Sequence, residues 1–139
     1  MAADDLRLRV AAYAKAISAR DIEAVMSFFA PDVVSYDLEA PLRYAGADRK
    51  RERWQQDFAH FTRIDYEVRD LDVTVNGTLA VASAINRLNG TLPDGKTTGS
   101  WVRWTACWRM LGGEWRIVHD HVSVPVDLRQ GKANLDLTP

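Results

Sequence analysis

Near the start of the chain, hydrophobic positions recur every three or four residues. Leu6, Val10, Tyr13, Ala14 and Ile17 share one face at that spacing, which predicts an amphipathic helix. Asp21 then stands where a helix N-cap belongs, ahead of the run IEAVMSFF, and Pro31 follows the end of that run. VVSYDLEA is short and β-branched and predicts a strand from about Val33 to Leu38. Gly46 to about Phe61 carries a third helical pattern, with Trp54 and Phe58 four residues apart.

The second half changes period. YEVRDLDVTV, the dipeptide Asn76-Gly77 and TLAVASAINRL make a hairpin signal with a suitable turn. LPDGK marks another turn. SWVRWTACWRM, LGGE and WRIVHDHVSV form a further hairpin. The tail from Asp127 to Pro139 has no clear period. Helices first and a strand meander afterwards make an α+β pattern and argue against parallel βαβ units. A curved antiparallel sheet with three N-terminal helices on one face leaves a cone-shaped cavity.

The last hairpin sets its register from its turn. A Gly112-Gly113 loop pairs Leu111 with Glu114 and Met110 with Trp115. Continued antiparallel, the ladder places Trp108 opposite Ile117, Ala106 opposite His119, Trp104 opposite His121 and Val102 opposite Ser123. One face then holds Trp104, Trp108 and Trp115, with His119, His121 and Ser123 at one end. An apolar wall with a few converging polar groups is what a small-molecule pocket looks like. The other face, with Arg103, Thr105, Cys107, Val118 and Asp120, is mixed and faces solvent or a second subunit. Asp120 is expected there, paired with Arg103. A β-bulge would shift this register.

Two histidines two residues apart on a strand are about 6.5–7 Å apart at Cα, a chelating distance. A catalytic metal also needs a third protein ligand. Asp37 and His60 are the candidates, and no spacing ties either to the pair. No metal is assigned, and a metal-dependent variant stays a third reading.

Composition changes this picture little. The 139 residues are 47% hydrophobic and 27% charged, with a formal net charge of −1. That balance gives no electrostatic reason to expect nucleic acid or an acidic membrane as partner. The run DRKRER, from Asp48 to Arg53, reads as a solvated helix face. A single cysteine, Cys107, excludes an intramolecular disulfide. There is no apolar run long enough to span a membrane, and MAADDLRLR is unlike a signal peptide, so a reducing cytoplasm is the expected location.

Two stretches carry a family resemblance. AYAKAISARDIEAVMSFFAPDVVSYD, from Ala12 to Asp37, is similar to the opening of ketosteroid isomerase-like and SnoaL-like proteins, members of the nuclear transport factor 2-like superfamily. GGEWRIVHDHVSVP resembles the ending of a SnoaL-like subgroup. The resemblance spans about residues 5–126 of a single domain, 1–139, leaving 127–139 as an irregular tail. It implies a cystatin-like α+β barrel: a cone of curved antiparallel sheet wrapped on three helices, dimeric through the outer sheet face. In ketosteroid isomerases a tyrosine on the first helix and an acid on the first strand face the pocket, and the match puts Tyr13 and Asp37 at those positions. The carboxylate takes a proton next to a carbonyl, and the phenol bonds the developing enolate. Those isomerases add a protonated aspartate, where the alignment here puts Ala106. His119, its expected neighbour, would supply a donor instead.

Three readings follow. The first is an isomerase or polyketide cyclase acting on a small apolar molecule with a carbonyl. Asp37 is its base, Tyr13 and His119 polarise the carbonyl, and His121 orients a partner. Trp54, Trp104, Trp108, Trp115 and Ser123 line the pocket, and no cofactor is required. The second is a non-catalytic ligand-binding or dimerisation domain of the same fold. The third is the metal-dependent variant through His119 and His121.

Overall fold

The apolar stripe of the first segment buries as one face of α1 (Ala2–Ser18), where Leu6, Val10, Tyr13, Ala16 and Ile17 all leave solvent. Asp4 and Asp5 in its first turn and Lys15 in its last suit the helix dipole. The helix ends on Arg20, a non-glycine residue at φ 54°. The Arg20 N–H donates to Ile17 O and the Asp21 N–H to Ala16 O, at 3.0 and 3.2 Å, a Schellman closure. Asp21 then caps α2 (Ile22–Met26) by accepting from the Ala24 N–H at 3.1 Å, as predicted. The third predicted helix is α3 (Ala47–His60). Its N-cap is Gly46, whose φ of 95° suits glycine. The computed structural model describes residues 2–139.

The early strand, β1 (Phe29–Tyr36), starts four residues before its predicted position. Its ladder to β7 (Glu114–Ser123) breaks between Phe29 and Val34, and Pro31 sits in that break, where a missing N–H costs no ladder bond. β1 also pairs with β2 (Tyr44–Ala45). The meander is β3 (Arg63–Asn76), β4 (Leu79–Thr91) and β6 (Trp101–Leu111), with the two-residue β5 (Thr97–Thr98) beside β4. The turn between β3 and β4 falls one residue later than expected, on Gly77-Thr78, because Asn76 pairs with Leu79. The strands run β2-β1-β7-β6-β4-β3 in one curved, unclosed sheet. All its pairs are antiparallel except β1 with β7, which run parallel. The periodless tail holds a small separate hairpin, β8 (Val126–Asp127) with β9 (Lys132–Ala133).

The last hairpin corrects the predicted register. Met110 faces Trp115 and Trp108 faces Ile117, as the Gly112-Gly113 turn requires. The next pair is Cys107 with His119. One step along β6 is matched by two along β7, so Val118 is the extra residue of a β-bulge. Beyond it every side chain of β7 changes face. Ala106 faces Asp120 rather than His119, Thr105 faces His121, and Arg103 faces Ser123. Asp120 is therefore inside, 1% exposed, and does not pair with Arg103. The Arg103 Nε donates to Ser123 Oγ instead, at 3.1 Å.

The core lies between the inner face of this sheet and the helices. Tyr13 stacks on Trp104 with centroids 6.0 Å apart and meets Phe28 and Phe29 edge-on. Trp104, Trp108 and Ile117 are almost wholly enclosed. Burying such side chains contributes roughly 1.5–3 kcal/mol each. Among the described residues no helix is long and apolar enough to cross a membrane.

Candidate functional site

Residues 33, 35 and 37 share parity, so Val33 and Ser35 point inward from β1 and Asp37 follows them just past the strand end. From α3, Lys50 reaches the same point, 3% exposed. From β7, the bulge delivers Asp120. The Lys50 ammonium donates to Ser35 Oγ at 2.9 Å and lies 3.2 Å from Asp120 Oδ2 and 3.4 Å from Asp37 Oδ2. The Ser35 Oγ–H in turn donates to Asp120 Oδ1. Burial alone would lower the Lys50 pKa, but the two carboxylates outweigh it and hold the ammonium above its usual value.

This network forms one wall of a cavity of about 480 Å³. Lys50 and Asp120 line it with only 4% and 1% of their side-chain surface exposed, whereas the Asp37 side chain keeps 14%. Of the two carboxylates on Lys50, Asp37 is thus the more open to a ligand. Its other partner is the Leu38 N–H, at 2.7 Å. Among the described residues no histidine or phenol bonds it directly.

Tyr13 and Tyr66 line the cavity with centroids 6.3 Å apart. Burial, with the nearby carboxylates, holds both phenols well above their ordinary pKa, so both keep their protons. Tyr66 accepts from Asn86 Nδ2 at 2.8 Å, which leaves its hydrogen free to donate. Trp54, Trp104 and Phe61 supply apolar walls, and Asp57 completes the α3 side. The Phe61 ring is held over Gly90, where a Cβ would come within 2.4 Å of it. Ala133 and Leu135 of the C-terminal segment lie at the rim.

Of the predicted residues, Tyr13, Asp37, Trp54 and Trp104 meet in the cavity. Trp108 and Trp115 are buried in the core and do not line it. His119, His121 and Ser123 lie on the outer face, turned there by the Val118 bulge. The His119 Nδ1–H donates to Val34 O at 2.7 Å, and Tyr36 packs edge-on to both imidazoles. Among the described residues no three metal-ligating side chains converge, so the histidine pair gains no third ligand.

Lys50, Asp120, Ser35, Tyr66 and Asp57 were not predicted. For Lys50 the signal was present. Lys50, Trp54 and Asp57 fall at i, i+4 and i+7, one helix face, inside a run that reads as solvated. For Asp120 no local signal marks the bulge that turns it inward.

A model of the SnoaL-like domain family matches residues 7–127. No curated protein matches the chain. Among solved structures, an NTF2-like protein of unknown function from Pseudomonas putida KT2440 is 29% identical. It covers 99% of this chain and 96% of its own, at a TM-score of 0.89. A provisionally assigned dehydratase of the NTF2-like family from Streptomyces avermitilis is 20% identical over 86% of this chain and 93% of its own, at 0.75. The association domain of CaMKII from C. elegans is 18% identical over 86% and 93%, at 0.70. The last two likenesses concern the fold alone.

Proposed function

The chain belongs to the SnoaL-like domain family, and on that premise we propose that it moves a proton next to the carbonyl of a small apolar molecule. The observation that carries this reading is the Asp37–Lys50–Asp120 network in the cavity wall, of which Asp37 is the most exposed member. Asp37 takes the proton. Tyr13 and Tyr66 donate hydrogen bonds to the oxygen that gains charge, the role first expected of His119. Lys50 holds Asp37 in place and offsets its charge, and Asp120 with Ser35 fixes Lys50. The flat walls of Trp54 and Trp104 hold the apolar body. The chemistry requires no cofactor.

A second reading rests on the same pair. A carboxylate held by an ammonium and a backbone N–H can serve as a fixed acceptor for a ligand, and a purely ligand-binding domain needs no base at all. A thermal-shift screen of apolar carbonyl compounds, followed by turnover of the best hit, separates the two. Asp37→Asn keeps the shape and removes the base. The enzyme reading expects turnover to fall about 10²–10⁴-fold with binding largely kept. Full turnover in Asp37→Asn removes this residue from the mechanism.

The partner we propose is a second copy of the chain across the outer sheet face. There Leu79 and Val81 are 47% and 42% exposed, and Tyr36 lies beside the two histidines. Sedimentation at micromolar concentration should give twice 15.7 kDa, and a monomer counts against it.

A further inference from the structure

Resting on the reading that the cavity binds a small molecule, we infer that this molecule is not an acid: it is uncharged or cationic at neutral pH. Four carboxylates line the cavity, Asp37, Glu39, Asp57 and Asp120, against two cations, Lys50 and Arg53. Both cations are already engaged. An ammonium has three N–H donors, and those of Lys50 are met by Ser35, Asp37 and Asp120. Arg53 gives one of its five N–H donors, from Nη1, to Glu39 Oε2 at 2.9 Å, so its charge already has a carboxylate against it. An entering carboxylate or phosphate therefore finds each cation already offset by a carboxylate, in a cavity with a surplus of negative charge.

The groups that are left over favour the opposite charge. Among the described residues the Asp57 carboxylate accepts no hydrogen bond, and burial raises its pKa against the pull of Arg53. The walls of Trp54, Trp104, Tyr66 and Phe61 are aromatic, and aromatic ring faces attract cations and not anions. The two phenols can donate to any oxygen, but they are neutral and do not offset the surplus of negative charge. An uncharged ketone meets those donors without repulsion, and an ammonium group gains from Asp57 as well.

The test uses three probes on one flat two-ring frame: 2-acetylnaphthalene, 2-naphthylmethylamine and 2-naphthoate, titrated into the intact protein by calorimetry at neutral pH. The ketone and the amine should bind, and the naphthoate should bind about tenfold or more weakly. Asp57→Asn should narrow the naphthoate deficit, read as the ratio of naphthoate to ketone affinity, and an unchanged ratio counts against the inference. Naphthoate binding as tightly as the ketone overturns the inference and leaves the cavity reading standing. Failure of all three to bind the folded protein overturns the cavity reading, and this inference with it.

Discussion

The Lys50 ammonium lies 3.2 Å from the Asp120 carboxylate, joining the third helix to the last long strand inside the molecule. Both groups are almost wholly buried, 3% and 1% exposed. Asp37 adds a second carboxylate to the same ammonium. Each charge is tolerable there because the others and Ser35 satisfy it.

Removing the ammonium should be costly. Lys50→Met leaves two carboxylates facing each other without a counter-charge, and about 3–5 kcal/mol of stability should be lost at pH 7. The Lys50 pKa is raised in the fold. Its contribution is therefore fully present below the ordinary value of 10.5 and is lost as pH rises through the higher folded value. Urea unfolding from pH 7 upward should show the gap between wild type and variant persisting up to that point and narrowing beyond it.

Asp57 has the opposite effect. Burial raises its pKa above 3.8, so the folded protein holds that proton more tightly than the unfolded chain. Stability then falls as pH rises from 3.8 through the folded value. Asp57→Asn should stabilise at pH 7 and do little at pH 3.5. Melting temperatures at the two pH values check the sign, and equal shifts at both would contradict it.

The histidines should be dispensable to the pocket. His119→Ala gives up the bond to Val34 O and should cost about 0.5–1.5 kcal/mol. His121→Ala should stay within about 0.5 kcal/mol. Neither should change the affinity of a cavity ligand by more than about twofold, measured by calorimetry. A large loss of affinity in either variant would mean that β7 turns back inward after Val118.

The C-terminal hairpin should behave as a loosely held cover. Its hydrogen bonds, from Gly131 and Arg129 to Asp127 and from Asn134 to Pro125, all stay within residues 125–134. It nevertheless sets Ala133 and Leu135 against the cavity. Deleting residues 125–139 should change unfolding stability by less than about 1 kcal/mol. The same deletion should speed ligand release about tenfold in stopped-flow measurements, because the mouth is left open.

Elements whose burial follows a simple period could be read from the chain alone. The stripe of α1, the cap at Asp21, the helix after Gly46 and the Gly112-Gly113 turn depend on neighbours within a few positions, and each stands where the pattern put it. Tyr13 and Asp37 reached the cavity for the same reason: one lies on the buried helix face, the other in parity with Val33 and Ser35. The tertiary structure decided the rest. A strand's alternation carries no record of an inserted residue, because Val118 fits either face of a sheet. Yet that insertion inverts every position after it and exchanges two histidines for Asp120. Lys50 stands in a run of charges that a helix exposes by default. It becomes an interior residue only when two carboxylates, one of them brought by the bulge, offset the cost of burying its charge.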